Sequence, residues 1–250
     1  MNEIVTYGQN YTLNDGIKKF IDSAKKTGDN VVVITNDIQQ DAKDYILTYK
    51  NARCVSAKKL AETYNVDLSL SPYTLKVIFF YLYTKHHSFA DNVFLCDFTD
   101  VYFNKSVFER VTNKPMVFGE GQIINNCPTN TTWINLCYNQ DIYNLLRQYE
   151  IINGGAILGP KDKCVSLLKE MCLDTSVILG KVGNYPNIDQ AILNKVVRFD
   201  WFRYDIGTKD IVLNLAQIKE QKKWTKENVP AVFHQYDGHT DVERFINEQS

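Results

Sequence analysis

The chain contains the run Asn92-Val93-Phe94-Leu95-Cys96-Asp97-Phe98-Thr99-Asp100-Val101-Tyr102-Phe103, in which an apolar segment ends in two acids. Residues 93–96 are apolar at every position, which is typical of a strand buried on both faces in the middle of a parallel sheet. Asp97 and Asp100 follow this strand, and in open α/β sheets ligands bind beyond the carboxyl ends of the strands. The run therefore predicts both the class of fold and the edge of the sheet where ligands bind.

Strand and helix patterns alternate on both sides of this run. Strands are predicted at residues 4–7, 31–35, 116–118 and 131–136, and helices at 13–24, 42–49, 73–83 and 165–171. A strand, a helix and a second strand in succession form a β-α-β unit, the building block of parallel sheets. The sequence predicts an α/β fold with a mixed, mainly parallel central sheet and helices on both faces, similar to a Rossmann fold.

Composition limits the classes of partner. The chain has 250 residues without a Pro/Gly/Ser-rich linker or an internal repeat, so we expect a single domain over residues 1–250. Lys and Arg together number 28 and Asp and Glu 29, for a formal net charge of -1. This balance lacks the basic surface that nucleic-acid binding requires, and we expect no nucleic-acid partner.

No segment predicts a membrane span or an export signal. The longest apolar stretches, 31–34 and 77–80, are far shorter than the ~20 residues that cross a bilayer. Glu3 stands where a signal peptide needs basic residues, so we expect a cytoplasmic location. Six cysteines without a C-x-x-C pair are interpreted as reduced, mostly buried thiols: Cys54, Cys96, Cys127, Cys137, Cys164 and Cys172.

Two carboxylates placed close together repel each other unless a positive group lies between them. Hard divalent cations such as Mg²⁺ or Mn²⁺ accept oxygen ligands of this kind. Asp97 and Asp100 are therefore candidate metal ligands. The alternative is that both acids cap the turn that follows the strand, where Asp is common.

The segment 95–103 resembles the D-x-D region of sugar-nucleotide-dependent glycosyltransferases with the GT-A fold, in the D-x-x-D-V form of some small transferases. The resemblance implies a single GT-A-like domain. It makes Asp100 the expected direct metal ligand and lets Asp97 address the ribose, or the metal through water. Upstream, residues 73–76 resemble the start of the helix that precedes the motif in this family, in which a basic residue, here Lys76, faces the diphosphate.

Three later segments lie where this family would place them. Residues 153–159 are similar to the N-x-G-x-x-x-G segment that lines the donor-sugar pocket, through Asn153, Gly154 and Gly155, although an ordinary glycine turn would look the same. Residues 187–194 resemble a D-Q-x-x-L-N helix start, with Asp189 and Gln190 facing the sugars, although Asp189 is also a plausible helix N-cap. Near the C-terminus, His234 follows an apolar strand, where a family histidine completes the metal site, although many lone histidines are structural.

The first two strands are followed by residues that fit the nucleotide site of the family less sharply. Thr6, Tyr7 and Asn36 are candidates there, with the Tyr7 ring stacking on the base, although ordinary loop polar groups would look alike. By resemblance, residues 1–103 bind the nucleotide and residues 104–250 bind the donor sugar and the acceptor. We expect no site at His86 and His87, which end a helix.

The resemblance implies transfer of a sugar from a nucleotide diphosphate sugar, with UDP as the expected carrier, to a glycan or protein-linked acceptor. Mn²⁺ or Mg²⁺ would stabilise the departing diphosphate, and Asp189 is the candidate base if the configuration inverts. The composition, rich in Asn, Lys, Ile and Tyr, is similar to that of small transferases of large DNA viruses. The alternative is a non-catalytic carbohydrate-binding or assembly protein on the same fold. The motifs of dehydrogenases and Walker-type hydrolases are absent from the sequence.

Overall fold

The computed structural model describes residues 1–185, 187–215 and 224–249. The strands within these ranges are β1 (Asn2–Gln9), β2 (Asn30–Asn36), β3 (Ala52–Ser56), β4 (Asn92–Cys96), β5 (Val101–Phe103), β6 (Met116–Ile123), β7 (Glu150–Pro160), β8 (Asp205–Gly207), β9 (Val212–Asn214) and β10 (Val232–His234). The helices are α1 (Asp15–Thr27), α2 (Gln40–Ile46), α3 (Ala57–Tyr64), α4 (Pro72–His86), α5 (Pro128–Cys137), α6 (Gln140–Leu146), α7 (Lys161–Val182), α8 (Ile188–Phe199) and α9 (Thr240–Gln249).

Over the described residues, seven strands form a central sheet in the order β3-β2-β1-β4-β7-β6-β8. Neighbouring strands from β3 to β4 are parallel, and β7 is antiparallel to both of its neighbours, β4 and β6. Apolar side chains on one face of the sheet pack with α4, α7 and α8, and those on the other face pack with α1 and α2. The predicted α/β architecture, a mixed and mainly parallel sheet between helices, is confirmed.

The central strand β4 is buried from Val93 to Cys96, as its apolar sequence predicts. The adjacent helix α4 begins with Pro72 after the N-cap Ser71, whose hydroxyl accepts a hydrogen bond from the backbone N–H of Thr74. Because α4 is apolar on most of its circumference, it lies deep against the sheet, and its Lys76 is buried as well. The fold thereby places a lysine beside the carboxyl end of β4.

A second sheet, in the order β5-β10-β9, lies beside the end of β4. Strand β10 pairs antiparallel with β5, so that His234 lies opposite Val101, and parallel with β9, so that His234 lies opposite Asn214. This register brings the C-terminal histidine next to the acids that follow β4. None of the helices in the described ranges is both long enough and apolar enough to cross a bilayer.

The strand predicted at residues 131–136 is wrong, because these residues lie in α5. β-Branched residues favour strands. In this helix, however, the hydroxyls of Thr131 and Thr132 donate hydrogen bonds to the carbonyls of Ile124 and Pro128. Pro128 occupies the first turn, where its missing N–H is not needed. Tertiary packing of Ile134 and Cys137 against the core then outweighs the local preference.

Candidate active site

The two acids of the D-x-x-D segment lie where β4 ends and the chain turns toward β5. The backbone N–H of Asp97 donates to the carbonyl of Gly155 on β7, at 3.0 Å, and the carbonyl of Asp100 accepts from the N–H of Gln235, at 2.8 Å. Gln235 has a φ of 56°, in the left-handed region that a non-glycine residue rarely adopts. Backbone hydrogen bonds therefore fix the two acids against both β7 and the residue after β10.

Asp97, Asp100 and His234 form a cluster in which one ligand atom from each side chain lies within 4.8 Å of the others. The Nε2 of His234 lies 3.3 Å from Oδ2 of Asp97 and 3.9 Å from Oδ2 of Asp100. The imidazole is buried, whereas the carboxylates are about 30% and 28% exposed. Two carboxylate oxygens and an imidazole nitrogen that converge at a partly open position are a donor set that fits a divalent cation.

Gly155 gives this cluster its space. A Cβ atom at this position would collide with the carboxylate of Asp97 and would lie 2.5 Å from Cε1 of His234. Gly154 and Gly155 do not have positive φ angles, and both lie within β7 rather than in a turn. The alternative of an ordinary glycine turn is therefore wrong, and a glycine is needed at position 155 because the side chains of Asp97 and His234 approach it closely.

Lys76 lies between two acids, with its Nζ 2.8 Å from Oδ1 of Asp97 and 3.1 Å from Oδ2 of Asp189. Burial alone would lower the pKa of this lysine, but the charges of Asp97 and Asp189 and their hydrogen bonds outweigh burial and raise it. Lys76 is therefore a permanent cation. Its Nζ also donates to the carbonyl of Gly154, at 3.4 Å.

The electrostatic balance differs between the acids. Burial works against ionisation of Asp97, but Lys76 and His234 outweigh it and hold the pKa of Asp97 below its usual range. Burial raises the pKa of Asp100 and of Asp189, because their positive neighbours compensate less completely. Burial lowers the pKa of His234, but the hydrogen bond that its protonated ring donates to Asp97 and the charges of both acids raise it overall. The cluster thus carries excess negative charge that a bound cation would neutralise.

A network of amide side chains surrounds Glu120, which lies within β6. Its Oε1 accepts from Nδ2 of Asn153, at 2.9 Å, and from Nε2 of Gln190, at 3.1 Å. The Oε1 of Gln190 in turn accepts from the N–H of Gly154, at 3.0 Å, and Nδ2 of Asn153 also reaches Oε1 of Gln235, at 3.1 Å. This network fixes the side chains around the Gly154 backbone in one arrangement.

The helix that carries Asp189 and Gln190 begins one residue before them. Asn187, with a φ of 61°, is the N-cap of α8, so Asp189 lies in the first helical turn and is not the cap. Asn194, one turn further along, accepts from the N–H of Ile152, at 2.9 Å, and donates to the carbonyl of the same residue, at 2.8 Å. These two bonds anchor α8 to β7 and set the position of Asp189 relative to Lys76.

A cavity of about 420 Å³ opens beside Lys76 and the two acids. Its lining residues come from the ends of β1 and β4, the start of α4 and the segment after β10: Tyr7, Gln9, Tyr11, Pro72, Tyr73, Lys76, Asp97, Phe98, Thr99, Asp100 and Asp237. Aromatic rings and polar groups share this wall, which suits a ligand with a flat ring at one end and charge at the other.

The structure places the predicted site residues in three groups. Tyr7, Lys76, Asp97 and Asp100 line the cavity. His234, Asp189, Gly155, Gly154, Asn153 and Gln190 lie behind it, connected to Lys76 or Asp97 directly or through one further residue. Thr6 and Asn36 are buried in β1 and β2 and are not among the residues that line the cavity.

Sequence inspection missed several residues of this site. Gln9, Tyr11 and Tyr73 line the cavity, and the position of Gln9 and Tyr11 at or just beyond the end of β1 was the signal that could have found them. Glu120 had no such signal, because the residues around it come from α5, β7 and α8 and meet only in the folded chain.

At the level of sequence, no protein-family model and no curated protein matches this chain. Solved structures do match its fold. The galactosyltransferase LgtC, in complex with donor and acceptor sugar analogs, matches with a TM-score of 0.57 over 98% of this chain and 94% of its own, at 13% sequence identity. An active-site mutant of LgtC matches with a TM-score of 0.56 over 93% of this chain and 86% of its own, at 14% identity. The chain therefore has the GT-A-like fold of the glycosyltransferase LgtC.

Proposed function

We propose that this protein is a metal-dependent glycosyltransferase that moves a sugar from a nucleotide diphosphate sugar to a glycan or protein-linked acceptor. The observation that carries the proposal is the convergence of Asp97, Asp100 and His234 beside a cavity that Lys76 also lines. The shared fold with LgtC supports it. The small soluble transferases of large DNA viruses, which the composition resembles, are our proposed relatives, and a cytoplasmic location is proposed with them.

Asp100 and His234 would hold Mn²⁺ or Mg²⁺, together with Asp97 directly or through water. When bound, the cation would supply Lewis-acid stabilisation of the diphosphate charge that grows as the bond to the sugar breaks. Lys76 is a second, fixed positive charge on the same wall of the cavity. Because it is already oriented by Asp97 and Asp189, it can bind a diphosphate oxygen with little reorganisation.

The aromatic part of the cavity would bind the nucleotide. The rings of Tyr7, Tyr11 and Tyr73 line the same cavity, and a base could stack on any of them. Burial raises the pKa of Tyr7 to about 12, so its hydroxyl stays protonated and can donate a hydrogen bond. We propose UDP as the nucleotide carrier and the division into a nucleotide part (1–103) and a sugar part (104–250).

We propose Asp189 as the catalytic base if the configuration inverts, and as a group that holds sugar hydroxyls if it is retained. Burial raises the pKa of Asp189, which favours acceptance of a proton, whereas the charge of Lys76 opposes this effect in part. The ionised carboxylate can also accept a hydrogen bond from a sugar hydroxyl. The donor-sugar wall would be formed by Asn153, Gly154, Gly155 and Gln190. Hydrogen bonds connect this group to Lys76, which lines the cavity.

The test is hydrolysis of a panel of UDP-sugars and GDP-sugars with and without Mn²⁺, in the wild-type protein and in Asp100→Ala. We expect release of the nucleoside diphosphate from one donor, dependence on the cation, and a loss of at least about 100-fold in Asp100→Ala. Titration calorimetry with UDP and GDP would identify the base. Equal release from both proteins, or none from either together with sugar binding, would instead support the non-catalytic binding protein.

A further inference from the structure

His234 has a second polar contact on the side of its ring that faces away from the acids. Its Nδ1 lies 2.7 Å from Oδ1 of Asn214, and both side chains are almost fully buried, at 1% and 2% exposure. The contact follows from strand pairing, because β9 and β10 are parallel with Asn214 directly opposite His234. The neighbouring strand thus holds the ring by its Nδ1 edge.

The orientation of the Asn214 amide is set by other groups. Its Nδ2 lies 2.9 Å from the carbonyl oxygen of Gly119 and 3.4 Å from that of Phe118. Carbonyl oxygens only accept hydrogen bonds, so the NH₂ group must face them and Oδ1 must face the imidazole. The reversed amide would place an oxygen against two carbonyls and an NH₂ group against the ring, leaving buried groups unpaired.

An Oδ1 atom that faces Nδ1 can only accept, so Nδ1 must carry a hydrogen. In a neutral imidazole the other nitrogen, Nε2, then has its lone pair free. Nε2 is the atom that lies 3.3 Å from Asp97 and 3.9 Å from Asp100. The carboxylate of Asp97 also accepts hydrogen bonds, but its 3.3 Å contact with Nε2 is longer than the 2.7 Å contact between Nδ1 and Asn214, so the single hydrogen of a neutral ring stays on Nδ1. The chain of contacts from the β6 carbonyls through Asn214 therefore determines which nitrogen of His234 faces the acid cluster as a ligand.

We propose that Asn214 is a positioning residue for the metal site, which holds His234 in the tautomer and the ring orientation that present Nε2 to a divalent cation between Asp97 and Asp100. The inference rests on the proposed metal site. It assigns a function to the second sheet, because β9 supplies the group that orients the ligand on β10, and β6 supplies the carbonyls that orient that group.

The direct test is the tautomer of His234 in the metal-free protein, measured by long-range proton–nitrogen NMR correlation of the histidine rings at a pH where the ring is neutral. We expect Nδ1 to carry the hydrogen in the wild-type protein. Asn214→Leu has the same number and branching of side-chain heavy atoms but no acceptor, and we expect it to lose this preference. A wild-type ring with the hydrogen on Nε2 overturns the proposal.

The second measurement is Mn²⁺ affinity, by electron paramagnetic resonance of the free ion. We expect Asn214→Leu to bind Mn²⁺ about 10- to 100-fold more weakly, the usual effect of losing a partner of a ligating histidine. Asn214→Ala removes the same acceptor with a smaller side chain and is expected to lose the tautomer preference and to weaken Mn²⁺ binding to a similar extent. It is the second variant should Asn214→Leu fail to fold, which near-UV circular dichroism would show.

The matched control is Asn104→Leu. Asn104 is a partly buried amide directly after β5, and its Nδ2 donates to the carbonyl of Pro230, at 3.0 Å, near the end of the β5–β10 pair that is opposite to His234. We expect it to change neither the His234 tautomer nor Mn²⁺ affinity. Equal effects of Asn104→Leu and Asn214→Leu would reduce Asn214 to a structural residue and overturn the proposal.

These outcomes are separable from the fate of the proposed function. The tautomer is measured without metal or sugar nucleotide, so it stands whether or not the protein transfers sugar. A wild-type protein with the expected tautomer that hydrolyses no sugar nucleotide would remove the proposed function and retain the role of Asn214 in orienting the ring. A folded Asn214→Leu with unchanged tautomer and affinity would remove that role and leave the transferase proposal intact.

Discussion

The Nζ of Lys76 lies 3.1 Å from Oδ2 of Asp189, and both side chains are buried, so helix α4 and helix α8 are joined by an ion pair inside the protein. The same ammonium group is 2.8 Å from Asp97, which follows β4. One lysine therefore holds together three segments that each contribute to the candidate active site. The negative charges of Asp97 and Asp189 are both compensated by this lysine.

Removing Lys76 is expected to destabilise the fold strongly. In Lys76→Met, Asp97 and Asp189 lose their shared cation, and breaking a buried pair typically costs about 3–5 kcal/mol. The free energy of unfolding, from urea titration, measures this loss. The control is Lys195→Met, which breaks a more exposed pair with Asp174, at 2.9 Å, and should cost no more than about 1 kcal/mol. Similar losses in the two variants would show that the Lys76 pairs do not stabilise the site.

Adding one methyl group at Gly155 is expected to disable the metal site. The Cβ of Gly155→Ala would displace the carboxylate of Asp97 and the ring of His234, and we expect Mn²⁺ affinity to fall at least about 10-fold. Gly154→Ala is the matched control, since its Cβ would lie 3.4 Å from Asp189 and from Gln190, an ordinary contact distance. Mn²⁺ titration of both variants decides the matter, and equal affinity in the two would contradict the steric explanation.

Glu120→Gln is expected to change how stability depends on pH. Burial raises the pKa of Glu120 above its ordinary value of 4.5, so the folded protein binds this proton more tightly than the unfolded chain does. The wild-type free energy of unfolding should therefore fall as pH rises from that ordinary value through the raised pKa, and then level off. Gln keeps an acceptor for Asn153 and Gln190 and does not ionise.

The measurement for Glu120 is a series of urea titrations across this pH window, with the difference between variant and wild type as the quantity of interest. We expect the difference to move in favour of Glu120→Gln as pH rises. Glu62→Gln, on the exposed face of α3, serves as the control, because its side chain remains in water when the protein folds. A difference for Glu120→Gln that is constant with pH would rule out an ionisation penalty at this residue.

Asn194→Leu is expected to loosen α8 from the sheet. The variant leaves the N–H and the carbonyl of Ile152 without their partners in a fully buried position, at a cost of about 2–5 kcal/mol. Chemical denaturation measures the cost. Asn144→Ala, at an exposed position of α6, should stay within about 0.5 kcal/mol of wild type. If Asn194→Leu were equally harmless, the amide could not be the anchor of α8.

The local pattern of the sequence was sufficient for the class of fold and for the edge of the sheet that carries the site. Residues 93–96 are apolar at every position, so they predict a strand that is buried on both faces. Asp97 and Asp100 come directly after this strand in the sequence, so their position at the edge of the sheet could be predicted as well. Local preference failed at residues 131–136, where burial of Ile134 and Cys137 favoured a helix. The pattern of apolar residues predicts which side chains are buried, but it does not predict which neighbouring element covers them.

Only the tertiary structure decided which side chains meet. His234 is 137 positions from Asp97, and their approach depends on β10 pairing with β5, a choice made by the packing of the entire chain. The bridge from Lys76 to Asp97 and Asp189, the space at Gly155 and the amide that orients His234 all arise from strand order and register. Such contacts have no local signature, because the sequence encodes the preferences of neighbouring residues, whereas distant residues are brought together by the free energy of the whole fold.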